Sequence, residues 1–259
     1  MGLLPALGFS LQSTEDAACH HGRVRATLQS RRCLGLLAVG LALLAVGCTK
    51  KASSDKAAAS VSPAARQLAE RAGKGAQATY AAQYSVSGPA VAAGTTARIA
   101  VVGGEGYRLD VTTNGSTSVL LQSASGTASC RLAGAAKTCY QVAGAGQPIP
   151  ALFDPAIQQV FTSYLGQLSK HPDQYDVTEG TGTLPVDGIE GRCYTVSPHA
   201  GAAEPVVAQG TYCLATTGLP TSVSYASGTL MLAKLDPAPV SADLAPPAPP
   251  TPLPSPSPS

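Results

Sequence analysis

From residue 79 onward the apolar positions recur at every second residue. Tyr80, Ala82, Tyr84 and Val86 share one face of a run that Gly88-Pro89 interrupts, and a period of two is that of a half-buried strand. The same alternation predicts strands over residues 97–102, 107–113, 116–122, 127–132 and 137–142, and again over 175–183, 192–197, 206–216, 221–225 and 229–235. Asn114-Gly115 stands between the second and third of these, and that dipeptide favours the two-residue turn of a tight hairpin. Residues 133–136 join a second pair. Two stretches follow a helical period instead. Ser62-Pro63 is an N-cap and first-turn pair, after which Leu68, Ala69 and Ala72 predict a short helix over 63–73, ended by Gly73 and Gly75. Asp154-Pro155 repeats the capping pattern. Ile157, Val160, Phe161, Tyr164, Leu165 and Leu168 then recur at three- and four-residue steps, with Gln158, Gln159, Ser163 and Gln167 on the other side, until His171-Pro172. These elements describe an α+β fold: a large antiparallel sheet of about ten strands in meander order with two helices interrupting it. The apolar face of the second helix must be covered, either by the sheet or, in the sharper reading, by an apolar ligand whose cavity it lines.

The N-terminal region follows a different pattern. Arg31 and Arg32 precede an apolar run (Leu34, Leu36, Leu37, Val39, Leu41, Leu43, Leu44), then Ala45, Val46 and Gly47 directly before Cys48. This order resembles the lipobox of bacterial lipoproteins, although Ala45 stands where that family prefers leucine. The resemblance implies cleavage before Cys48 and a diacylglycerol on its thiol. An ordinary secretory signal or a short membrane helix is the alternative, but the run from Leu34 to Gly47 is shorter than the ~20 residues needed to span a bilayer. Residues 1–23, with Glu15, Asp16, His20 and His21, do not suit a signal peptide, and Val24 is a plausible translation start. The chain then divides into a signal region (1–47, with 1–23 untranslated), a lipid-anchored flexible tether rich in Lys, Ala and Ser (48–62), an α+β domain (63–236) and a tail (237–259). In that tail ten of 23 residues are proline, which predicts a disordered or polyproline segment with no packed element.

Charge and cysteine usage narrow the function. The chain carries 17 Lys and Arg against 15 Asp and Glu, and the part from Cys48 onward is close to neutral, so nucleic acid is not an expected partner. With no Trp and three Phe, the interior must rely on aliphatic residues and nine Tyr. Beyond Cys48 four cysteines remain, an even number that suits an exported domain. Of the three connectivities, Cys130 with Cys139 and Cys193 with Cys213 are favoured, because each pair lies on strands close in sequence. A zinc site would need closer Cys or His spacing, and His171 and His199 are expected at the surface. Neither a GxSxG elbow nor HExxH occurs, and Gly103-Gly104-Glu105-Gly106 and Gly144-Ala145-Gly146 lack a P-loop lysine, so turns account for them. Asp154 is accounted for as a cap. No catalytic residue, metal or cofactor is expected.

The order lipobox, tether, short helix, long antiparallel sheet and embedded amphipathic helix resembles the LolA-like lipoproteins, including the actinobacterial LppX and LprG group, over about residues 63–236. The resemblance implies a curved, unclosed half-barrel sheet with the amphipathic helix on its concave face and an apolar cavity between them. Ile157, Val160, Phe161, Tyr164, Leu165 and Leu168 would face that cavity. The function it implies is a non-enzymatic lipoprotein at the extracytoplasmic face of the cell membrane that binds a lipid or other apolar ligand. The alternative is a sensor or scaffold of the same shape, as in periplasmic regulators with LolA-like domains, that binds an envelope protein and carries no ligand.

Overall fold

The computed structural model describes residues 61–253 apart from Thr183 and Pro205. The signal region, Cys48, the tether up to residue 60 and residues 254–259 lie outside the described residues. Within them twelve strands form one sheet: β1 (Tyr80–Ser87), β2 (Thr96–Val102), β3 (Gly106–Thr113), β4 (Ser116–Ser123), β5 (Gly126–Ala133), β6 (Ala136–Ala143), β7 (Tyr175–Gly180), β8 (Gly191–Pro198), β9 (Gly210–Ala215), β10 (Pro220–Tyr225), β11 (Gly228–Asp236) and β12 (Thr251–Pro252). Their spatial order is β12-β6-β5-β4-β3-β2-β1-β11-β10-β9-β8-β7. The sheet is thus two antiparallel meanders, β1 to β6 and β7 to β11, joined along a β1–β11 seam that runs from Ala81↔Asp236 to Ser87↔Thr229. It stays open, with β7 and β12 at its edges.

Local turn chemistry explains the meanders. Asn114 (φ 49°) and Gly115 (φ 75°) form the two-residue β3–β4 turn. Both residues adopt the left-handed conformation, which suits the twist of the flanking strands. The paired strands that follow differ from the sequence expectation at their ends: β7 stops at Gly180, and β9 begins only at Gly210.

The main core lies on one face of the sheet. Tyr84, Ile99, Leu109, Tyr194, Val196, Tyr212, Leu214 and Leu230 are almost fully buried there with Leu68, Ala72, Val160 and Leu168 from the helices. The N-terminal helix α1 (Pro63–Gln77) starts as expected, with Ser62 Oγ accepting from the Ala65 N–H at 3.1 Å. It does not end at Gly73 or Gly75 but continues to Gln77. Those glycines are points of close approach: a Cβ on Gly75 would lie 2.4 Å from the Gly218 carbonyl oxygen.

The opposite face is also covered, and here the expectation for the C-terminal region is corrected for residues 237–253. A 3-10 turn at Ser241–Leu244 packs on β2, β3 and β4 with Leu244 buried. Ala248 then rests on Val119, Cys130 and Cys139, and Thr251 and Pro252 pair in parallel with Tyr140 and Gln141 of β6. Proline density does not prevent this, because an edge strand can dispense with an N–H on its outer side. Covered on both faces, β4 carries three consecutive apolar residues, Val119, Leu120 and Leu121, all at most 3% exposed.

Cys130 pairs with Cys139 across β5 and β6, and Cys193 with Cys213 across β8 and β9, each between directly opposed residues. Gly182 lies on the second bond so closely that a Cβ there would come within 2.6 Å of Cys193 Sγ. Such bonds persist in oxidising compartments, which points to an extracytoplasmic location.

Candidate ligand clefts beside the helical segment

The segment between β6 and β7 contains the residues that sequence periodicity assigned to a cavity, but it is not one regular helix. Asp154 has a conformation that is neither helical nor extended (φ −129°, ψ 68°), and Pro155 is extended (φ −60°, ψ 150°). A 3-10 turn follows at Ala156–Gln158, then a π-helical turn at Val160–Tyr164, and only then α2 (Leu165–Lys170). Asp154 is therefore not an N-cap. Its side chain turns inward, where the Thr162 hydroxyl donates to the carboxylate at 2.8 Å from one oxygen and 3.0 Å from the other. The Gln159 amide donates to the Asp154 carbonyl at 3.0 Å. Bonds that reach five and eight residues ahead replace the regular first turn that Asp154-Pro155 would otherwise begin.

The six apolar residues separate into two stripes. Val160, Tyr164 and Leu168, four residues apart, are at most 4% exposed and pack into the main core. Ile157, Phe161 and Leu165 form the neighbouring stripe, of which Leu165 is also a buried member of the main core. They line clefts. Ile157 and Phe161 wall an apolar cleft of about 270 Å³ with Val86, Ala97, Leu109 and Leu230. Phe161 and Leu165 wall a second cleft of about 270 Å³ with Tyr80, Val101 and Tyr107, close to the end of α1. Phe161 thus divides the two clefts, and it meets Tyr84 edge-on with ring centres 5.2 Å apart. Fixing the start of the segment to the sheet, the Tyr225 hydroxyl donates to the Ala156 carbonyl at 2.6 Å.

A third cleft, of about 490 Å³, shares Gln122 and Thr162 with the second and adds Gln147, Asp154, Gln159 and Glu204. It is the end of the series that carries charge, through Asp154 and Glu204. Asp154 is only 7% exposed, and burial raises its carboxyl above the ordinary value, opposed by the Thr162 hydrogen bond. The Tyr107 hydroxyl is buried, with no hydrogen-bond partner among the described residues. Burial, and after it the charge of Asp154, push this phenol far above its usual range. Asp154 as a cleft residue, together with Tyr107, Gln122 and Glu204, was not foreseen from the sequence. Tyr107 and Gln122 face each other across the β3–β4 hairpin, a pairing that the Asn114-Gly115 turn implies, whereas Asp154 and Glu204 come from separate regions that no local spacing connects to it. Among the described residues no group of three or more His, Cys, Asp or Glu is placed to hold a metal ion. Cys48 lies outside the described residues.

No model of a protein family and no curated protein matches this chain. Among solved structures, the complex of Pseudomonas aeruginosa MucA and MucB aligns with a TM-score of 0.42 and 15% identity, over 70% of this chain and 60% of that one. The match spans less than two thirds of that neighbour's length, and at such a distance it lends no weight to a function, which has to rest on the clefts themselves.

Proposed function

We propose that this chain is a non-enzymatic lipoprotein of the cell envelope, anchored through an acyl group on Cys48, whose LolA-like domain binds a lipid or other apolar ligand between the sheet and the helical segment. The observation that supports it is the apolar cleft walled by Ile157 and Phe161 beneath a segment whose neighbouring stripe is already satisfied by the core. At about 270 Å³ the cleft falls just under the ~300–1,000 Å³ typical of small-molecule pockets, so it suits one short apolar segment of a ligand. That small size also favours the second reading, a scaffold of the same shape that binds an envelope protein and carries nothing. Native mass spectrometry and lipid extraction of the purified mature chain separate the two. An acyl lipid that co-purifies in addition to the Cys48 anchor supports ligand binding, and a chain that is consistently empty supports the scaffold.

A further inference from the structure

The first two clefts lie in line along the same strands. Ala97 and Val111 face each other across β2 and β3 and line the first cleft, whereas Tyr80, Val101 and Tyr107 form one row across β1, β2 and β3 and line the second. Along β2 and β3 the two rows are four residues apart, which is ~13 Å at ~3.3 Å per residue. The row between them, Ala82, Ile99 and Leu109, is at most 1% exposed. From the helical segment Phe161 lines both clefts, and no other residue lines the two. Its ring is braced against Tyr84, whose hydroxyl donates to the Pro220 carbonyl at 2.8 Å. Val160 and Tyr164, buried on either side in sequence, hold the backbone in place. On the helical side, then, one side chain separates the clefts. No Asp, Glu, Lys, Arg or His lines either of them, so a charged group drawn inside would lose its water and meet no counter-charge. Thr95 and Thr113 line the first cleft beyond Ala97 and Val111, on the side away from Val101 and Tyr107. The first cleft therefore runs from a polar, uncharged end to an apolar one.

We propose that Phe161 sets the length of chain this protein accepts: an unbranched aliphatic chain with an uncharged polar group places that group near Thr113 and its other end against the Phe161 ring. This deepens the ligand-binding reading and rests on it. An apolar cavity of ~150 Å³ holds the six carbons of benzene, so the about 270 Å³ of the first cleft holds roughly ten carbons. A longer chain is stopped at Phe161. Without the ring the two clefts join into a channel of at least twice the volume of either, along the strand direction that a straight chain can follow.

The test measures binding of radiolabelled straight-chain alcohols, from hexanol to tetradecanol, to the mature chain by equilibrium dialysis at trace concentration. In the parent protein affinity is expected to rise about fourfold per methylene as far as decanol and then to stay level. In Phe161→Ala the rise should continue through tetradecanol. Phe161→Leu, which keeps an apolar group against Tyr84, should extend it to dodecanol and carries the test if Phe161→Ala does not unfold cooperatively by circular dichroism. Val101→Phe fills the second cleft alone, so it should leave the parent profile unchanged and restore the limit at decanol when combined with Phe161→Ala. A parent profile that keeps rising to tetradecanol would overturn the limit while sustaining an apolar ligand. A break that stays at decanol in folded Phe161 variants, or a uniform weakening at every chain length, would overturn the role of Phe161 and leave it a packing residue. Binding of none of the alcohols to the parent would overturn both this proposal and the ligand-binding reading.

Discussion

Two glycines in helices give opposite expectations for the same substitution. In Gly75→Ala the new methyl carbon would stand 2.4 Å from the Gly218 carbonyl oxygen, where real Cβ atoms stay beyond 3.0 Å, so one of two backbones must move by about 0.6 Å. No rotamer relieves the contact. Gly218 is itself fixed at φ +88°, and both groups belong to packed elements. Overpacking of this kind costs ~1–3 kcal/mol, against a gain of up to ~1 kcal/mol from replacing glycine in a helix. The gain is at its smallest here, two residues from the end of α1. The expected balance is a loss of ~1–2 kcal/mol, which for a chain of this size lowers Tm by roughly 3–6 °C. Gly166 in α2 has nothing within 4 Å of its virtual Cβ, so Gly166→Ala should keep the propensity gain of ~0.5–1 kcal/mol and raise Tm by roughly 2–3 °C. Thermal and urea unfolding of the mature chain, followed by far-UV circular dichroism with the disulfides intact, measures both. A Gly75→Ala protein at least as stable as the parent would show that α1 does not approach the 218 turn as described, and a loss in Gly166→Ala would show that its methyl is not free of neighbours.

Further expectations concern the clefts and the cross-links. Phe161→Glu should keep a cooperative unfolding transition while abolishing apolar ligand binding, because Phe161 walls two clefts, whereas Val160→Glu buries a charge at a site with 0% exposure and should prevent folding; circular dichroism and ligand titration of the two variants separate these effects. Removal of either disulfide by paired Cys→Ala substitution should cost ~3 kcal/mol, read by urea unfolding, with the 193–213 bond costing slightly more because it closes the longer loop. The carboxyl of Asp154 is raised in the folded state, so its contribution is greatest below the ordinary carboxyl range near ~4 and is lost as pH rises through its folded value. Urea unfolding from pH 4 to 8 should show that decline in the parent, and Asp154→Asn should remove it.

Much of the sheet was legible because its turns are chemical and its strands are amphipathic. Asn114-Gly115 sets the β3–β4 register by itself, and the Cys130 and Cys139 positions fall opposite each other once residues 133–136 are taken as a turn. Three features were not legible, each for a physical reason. Gly73 and Gly75 suit a helix end in isolation, and only the approach of Ser169 to Gly73 and of Gly218 to Gly75 explains why small residues stand inside α1. Asp154-Pro155 has the local form of a cap, but the pull of Thr162 on the carboxylate acts over eight residues and defeats it. The proline-dense segment after Asp236 lacks a regular period, yet Leu244 and Ala248 cover apolar groups on the far face of the sheet. That docking did leave a trace in Val119-Leu120-Leu121, where alternation fails because neither face of β4 meets water.

Nine tyrosines in a chain without Trp do more than supply bulk. Tyr84, Tyr194 and Tyr212 are among its largest fully buried side chains, so the rings occupy the centre where Phe would otherwise be expected. Several hydroxyls then donate to backbone carbonyls: Tyr84 to Pro220 at 2.8 Å, Tyr212 to Ala208 at 2.7 Å and Tyr225 to Ala156 at 2.6 Å. The last of these matters most for the clefts. With Ala156 tied to β10, Asp154 tied to Thr162 and the Val160, Tyr164 and Leu168 stripe embedded in the core, the wall that presents Ile157, Phe161 and Leu165 is fixed before any ligand arrives. Ordering that wall then takes little from the free energy of binding, and apolar area covered in a cleft of modest size translates into affinity more fully than it would beneath a mobile lid.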